Sequence, residues 1–272
     1  MTDSRRRPIG LAHFSAIGVE PAEFVTRAAA AGFGAVGFRL FPAFPGAPYY
    51  TLRAGGPAAR EVRLRLDDTG LALHDIEFVV IGADFDPASV RPVLGDAAEL
   101  GARRLSVCGD DPDPSRFADR FAALCAVAAE VGMAVDLENM GWRAVRGFAD
   151  SIAAVEAAGA PNGGVLVDAL HFFRNGGALA DLAAAEPALI RHAQLCDVRG
   201  PAPGDDEARI AEARAGRFAP GEGDLPLADL LAAVPEEAAV SVEVPIDAAT
   251  SVERHLARLF EGASRVMSGT TA

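Results

Sequence analysis

Four stretches in the second half of the chain end on an oxygen donor: AVDLEN on Glu138, VLVDALH on Asp168, HAQLCD on Gln194 and VSVEVP on Glu243. Read as strands, they send alternate side chains to opposite faces. Val135 and Leu137 then point one way, Asp136 and Glu138 the other. Val165 and Val167 oppose Asp168, Ala193 and Leu195 oppose Gln194, and Val240, Val242 and Val244 oppose Glu243. All four donors share one parity. Three carboxylates and an amide oxygen converging on one point repel unless a pKa rises or a cation sits among them. An all-oxygen set suits one hard divalent ion, Mn2+ or Mg2+ first, with Zn2+ or Co2+ as alternatives. Taken singly, each donor reads equally well as a strand-end polar residue bonded to solvent or an arginine.

Other reactive types gather around these four. His171 follows Asp168 by three residues and is a candidate acid/base, its ordinary pKa near 6.5 allowing proton exchange around neutrality. His192 sits one layer lower as a supporting histidine, and His13 is expected on the pocket floor. His74 and His255 read as a strand's outer face and a helix surface. Arg39 closes VGFRL with inward parity, so it needs an anion. That anion is either substrate or Glu77, which shares a face with Asp75. Arg214 and Arg217 precede PGEG and could hold a carboxylate or phosphate bidentately. Glu222 either fixes that loop or faces solvent. Trp142 offers an apolar wall, and Phe41, Phe44, Tyr49 and Tyr50 offer a lid or an oligomer contact.

The elements that must carry these residues alternate. Strands are expected at Ile9–Phe14, Ala35–Leu40, Leu71–Ile81, Arg104–Cys108, Met133–Glu138, Gly164–Asp168, His192–Asp197 and Ala239–Val244. Helices are expected at Pro21–Ala31, Pro57–Asp68, Pro87–Leu100, Pro114–Val131, Gly147–Ala158, Ala178–Ala185, Leu227–Ala233 and Ala248–Phe260. Several helices open on proline and close on glycine. Strict alternation over this length predicts an α/β chain forming a single (β/α)8 barrel across residues 1–272, with residues 1–8 as a flexible leader. The rival, a doubly wound sheet, wants a glycine-rich turn after the first strand, and SAIGVEP is not one. The two long loops, Phe41–Gly56 and Val198–Pro226, both follow strands and would crown the C-terminal face.

Composition narrows the function classes. The 272 residues carry a formal net charge of −13, which argues against nucleic acid or an anionic membrane as partner. All 25 basic residues are arginine, so lysine Schiff-base chemistry and a lysine-bearing phosphate loop are excluded. Cys108, Cys125 and Cys196 are scattered, as free thiols in a reducing compartment would be. The arginines near the start are followed by a stretch holding His13 and Glu20, unlike an export signal. A cytoplasmic protein is expected.

Glu138, Asp168 with His171, Gln194, Glu243 and the PGEG segment together resemble the xylose isomerase-like barrel superfamily of sugar-phosphate isomerases, ketose 3-epimerases, inosose dehydratases and 3-dehydroshikimate dehydratases. The resemblance implies that Glu138, Asp168, Gln194 and Glu243 bind one divalent metal and that the two glutamates shuttle protons, with His171 assisting. It further implies an isomerase or epimerase of a small polyhydroxy carbonyl compound, working through a metal-stabilised enediolate. Glutamine replaces the epimerases' histidine at position 194, which resembles the dehydratase pattern and keeps a lyase acting on a β-hydroxy ketone open. A metal-free ligand-binding barrel is the non-enzymatic alternative. Substrate contacts would fall to Arg39, Glu77, Trp142, Arg214 and Arg217. The partner would be a small sugar or keto acid, and a homodimer fits such barrels. Five histidines and strong acidity set the chain apart from the histidine-rich DNA-repair endonucleases of the same fold.

Overall fold

The computed structural model describes residues 7–269. Among them, eight parallel strands close into a barrel in chain order. They are β1 (Ile9–Leu11), β2 (Ala35–Arg39), β3 (Ala72–Gly82), β4 (Arg104–Asp110), β5 (Ala134–Glu138), β6 (Gly163–Asp168), β7 (Ile190–Leu195) and β8 (Ala239–Val242). Pairing of Ile9 with Val240 closes the ring. The strands are short apolar runs because both faces are covered, one by helices and one by the barrel interior.

Around them run α1 (Pro21–Ala31), α2 (Pro57–Thr69), α3 (Arg91–Leu100), α4 (Pro114–Ala129) and α5 (Phe148–Ala158). Next come α6 (Ala169–Arg174), α7 (Leu179–Ala184), α8 (Asp206–Ala215), α9 (Leu227–Ala233) and α10 (Val252–Met267). Helix α1 shows the punctuation that made these elements readable. Pro21 takes the first turn, where no amide donor is needed, and Gly32 ends the helix at φ 105°. Gly37 answers a different need. A Cβ there would lie 2.3 Å from Asp75 Oδ1, so the inward position on β2 must be glycine to admit the aspartate.

Several boundaries differ from expectation. Strand β1 stops at Leu11, and His13–Ala16 form a 3-10 turn. The third helix begins as a 3-10 turn at Pro87–Val90. Helix α10 starts at Val252, where the Ser251 side chain accepts from the Arg254 amide, and runs to Met267. The loop expected at Val198–Pro226 contains helix α8, begun by Asp205 capping Ala208 N with Asp206 and Glu207 in the first turn. Residues 1–6 of the expected leader lie outside the described residues. Arg7 donates to the carbonyls of Pro235 and Ala238, which anchors the chain before β1. Cys108, Cys125 and Cys196 are free and buried. No helix among the described residues is long and apolar enough to cross a membrane.

Candidate metal and active site

Glu138 ends β5 and Asp168 ends β6, where it also caps α6 by accepting the His171 amide at 3.0 Å. That short helix carries the His171 ring to 3.8 Å, Nε2 to Oε1, from Glu138. Gln194 pairs in register with Asp168 on one side and with Ser241 on the other. Glu243 follows β8 directly, its amide bonded to Leu195 O. Glu138, Gln194, Glu243 and His171 line a cavity of about 240 Å³ at the C-terminal end of the barrel.

Glu138, Asp168 and His171 each present one ligand atom, all within 4.8 Å of one another. Glu138 Oε1 is buried without a hydrogen-bond partner. An unpartnered carboxylate oxygen beside two further donors fits a divalent cation. Glu243 is drawn the other way: Arg217 Nη2 lies 3.3 Å from its Oε2, and Arg39 Nη2 3.6 Å from its Oε1. His171 therefore stands closer to the ion-sized cluster than its expected acid/base role required.

Electrostatics set the site's demand. Two like charges about 4 Å apart repel by about 4 kcal/mol at an effective dielectric near 20. Burial, with Asp168 and Glu243 nearby, raises the Glu138 pKa well above the usual carboxylate range. Burial raises Glu243 to about 7, against the pull of Arg217. Asp168 is equally buried, but Arg217 and His171 more than offset that, and its pKa falls. Burial takes His171 down to about 4. It is a neutral imidazole at neutral pH, fit to be a base or a ligand, which revises the sequence expectation of a group exchanging protons near 6.5.

Arg217, in the loop just after α8, is already engaged by carboxylates of the protein and is not free for a substrate anion. It is buried, with Nη1 2.6 Å from Asp168 Oδ2 and Nε donating to Ala213 O. Arg39 donates to Glu77, Nη2 at 2.5 Å and Nε at 3.1 Å, and lies over the rings of Phe14 and Phe78. Both members of that pair line the cavity, so the two readings left open for Arg39 coexist. Trp142 packs edge-on against His171, and Arg214 lies 4.3 Å over Phe44 at the cavity wall. Glu222 is held by Arg258 of α10. Of the other lid candidates, Tyr50 donates to Ile17 O.

Three histidines sit elsewhere than expected. His13 has left the strand for the 3-10 turn, where its ring stacks on Tyr50 and packs on Phe24, away from the pocket floor. His74 packs edge-on against His192 inside the barrel, 4.8 Å between centroids. His255 is buried, bonded to Val244 O. Sequence reading also missed Ser106, Phe78, Phe14, Met140 and Arg143 in the cavity wall. A register shift in the β3–β4 pairing between Ile76 and Val79 lets neighbouring Glu77 and Phe78 both reach the cavity, which simple alternation forbids. Asn139 was overlooked too; its amide ties Arg146 O to His171 O.

A family model described as xylose isomerase-like TIM barrel matches residues 25–262. No curated protein matches the chain. Among solved structures, an IolI protein with a bound zinc atom has a TM-score of 0.78 at 14% identity, covering 97% of this chain and 99% of that one. The probable 3-DHS dehydratase AsbF from Bacillus anthracis has a TM-score of 0.76 at 14% identity, covering 94% and 98%. A D-allulose 3-epimerase from Methylomonas sp. has a TM-score of 0.69 at 16% identity, covering 98% and 100%. The chain spans 43% of a longer fusion protein of a xylose isomerase-like TIM barrel with 4-hydroxyphenylpyruvate dioxygenase (TM-score 0.77, 21% identity, 97% of this chain). At these identities the likeness is one of fold.

Proposed function

Because the chain belongs to the xylose isomerase-like TIM barrel family, we propose that it is a metal-dependent isomerase or epimerase of a small hydroxy-carbonyl compound. One observation carries this reading: Glu138 and Glu243 enter one cavity from β5 and β8, both with raised pKa, and Glu138 keeps a buried oxygen unpartnered. Glu138, Asp168, Gln194 and Glu243 would hold the ion, with His171 as a competing donor. A bound divalent ion supplies polarisation of the substrate carbonyl, which acidifies the neighbouring C–H. Mn2+ or Mg2+ suits the oxygen donors; a nitrogen from His171 would favour Zn2+, the ion of one structural neighbour.

The protein's own groups then move the proton. A carboxyl that titrates near neutrality is suited to take a proton from carbon and return it. Glu243, at about 7, is such a group, and Glu138, its pKa also raised by burial, reaches the cavity from another strand, so that removal on one face and return on the other are open to the pair. Neutral His171 is placed to relay the hydroxyl proton. Arg217 holds Asp168 ionised, and Arg39 with Glu77 orients the remaining substrate oxygens. The three buried thiols suit a reducing cytoplasm.

The test is solvent exchange. The Mn2+-loaded protein should place deuterium from heavy water on the carbon beside the carbonyl of its hydroxy-ketone substrate, seen by NMR without net loss of mass. A panel of small hydroxy ketones that never exchanges would overturn the reading. A lyase of the same family is favoured by the apolar share of the cavity wall, Phe14, Phe44, Phe78, Met140 and Trp142, which offers fewer partners to a polyol than a wholly polar lining would. It would announce itself by ultraviolet absorbance of an α,β-unsaturated product.

A further inference from the structure

Four arginines line the cavity, and three are engaged by carboxylates. Arg39 is held by Glu77, Arg217 by Asp168 and Glu243, and Arg143 by Asp110 at 2.5 Å. Arg214, near the end of α8, makes no ion pair among the described residues. Its guanidinium lies over the ring of Phe44, from the loop after β2. Stacking of that kind fixes the plane and leaves the edge donors free for a bidentate anion. Arg143, from the loop after β5, adds a second donor, because its Nε is buried and has no hydrogen-bond partner.

The rest of the wall says what the ligand lacks. Phe44, Phe78, Met140 and Trp142 give the cavity an apolar wall, and the uncharged polar side chains, apart from the Trp142 indole, are Ser106, Gln194 and His171. Each hydroxyl buried there without a partner costs about 1–3 kcal/mol. Hydroxyls lying against the Phe44, Phe78 and Met140 side chains find no partner in them, whereas an anionic group at Arg214 meets an unneutralised guanidinium. The chain carries a net charge of −13, so a local positive group at the cavity favours the approach of an anion that the rest of the surface repels.

We infer that the cavity is built for an anionic, hydroxyl-poor hydroxy ketone, whose carboxylate or phosphate is bound by Arg214 with the Arg143 Nε as second donor while its carbonyl points to the acidic cluster. This rests on the proposed function for the direction of the carbonyl, but the anion subsite is separable from it.

The experiment is calorimetric titration of the full-length protein, with and without Mn2+, using dihydroxyacetone, dihydroxyacetone phosphate and hydroxylevulinate. The anion in the last two lies away from the carbonyl. At least one anionic probe should bind about 10-fold or more tighter than dihydroxyacetone, the scale of a charged hydrogen bond, and the winner names carboxylate or phosphate. Arg214→Gln, an exposed position, should remove that preference while leaving Mn2+ affinity unchanged. Equal binding of the three probes, no binding of any, or a preference that survives Arg214→Gln would overturn the inference. If Mn2+ does not bind but the Arg214-dependent preference persists, the metal reading fails and the anion subsite stands.

Discussion

Along four strands the inward positions come in pairs, two residues apart: Asp75 and Glu77 on β3, Asp136 and Glu138 on β5, His192 and Gln194 on β7, Ser241 and Glu243 at β8. The lower member of each pair is settled by its neighbours. Asp136 takes Arg104 Nη1 at 2.9 Å, Asp75 accepts from Ser106 Oγ at 3.1 Å, and His192 Nε2 meets Ser241 Oγ at 2.8 Å. The unpartnered atoms in that layer are ring nitrogens of His74 and His192, which burial keeps uncharged by lowering both pKa values. In the upper layer the orphan is a carboxylate oxygen of Glu138. Equal burial and equal parity thus serve two ends. A layer in which every acid has its own donor holds the barrel together, and a layer with an acid to spare is ready for a ligand.

The largest expected consequence separates the layers by function. Glu138→Gln should cut substrate deuterium exchange by at least about 100-fold, as loss of a general base does, while thermal unfolding stays put or shifts upward because a buried repulsive charge is gone. Exchange at the wild-type rate would erase the distinction. The corresponding change below, Asp136→Asn, should act on stability instead. It strands the part-buried Arg104 and should cost about 2–3 kcal/mol in denaturant unfolding, with Mn2+ affinity unmoved.

A third change uses pH. Burial, with Glu77 adjacent, raises Asp75 from 3.8 to about 8. The folded state then holds a proton that the unfolded state releases between those values, so stability is full below about pH 4 and falls as pH rises towards 8. Asp75→Asn should flatten that slope and gain roughly 1–3 kcal/mol at pH 8. A parallel pH profile in the variant would show that Asp75 is ionised in the fold. Smallest of all, Glu222→Ala breaks only a part-exposed pair with Arg258 and should change unfolding free energy by less than about 1 kcal/mol.

The barrel was legible because alternation, proline starts and glycine stops act locally. The placement of the candidate residues was legible for the same reason: parity is a property of one strand, and it puts Glu138, Gln194 and Glu243 at the cavity and Asp168 beside Glu138. What parity could not supply is who neutralises whom. Arg217 and Glu243 come from different elements and meet only in the closed barrel. His74 was assigned outward by the alternation that the register shifts on either side of β3 break. Helix α8 had its signal, the acidic run after Asp205, but glycine and proline on both sides masked it. Phe14 and Phe78 carry no chemical signature as cavity residues, since an inward aromatic looks like core until the space beside it is seen.

Mn2+ titration of the wild-type chain and of Glu138→Gln bears on the central claim most directly. The expected result is one ion bound per wild-type chain and affinity lost by two orders of magnitude or more, about 3 kcal/mol, in the variant. Absence of binding to the wild type at millimolar Mn2+, or undiminished binding to the variant, would contradict the account and leave a ligand-binding barrel whose acids are neutralised by Arg217 and Arg39 alone.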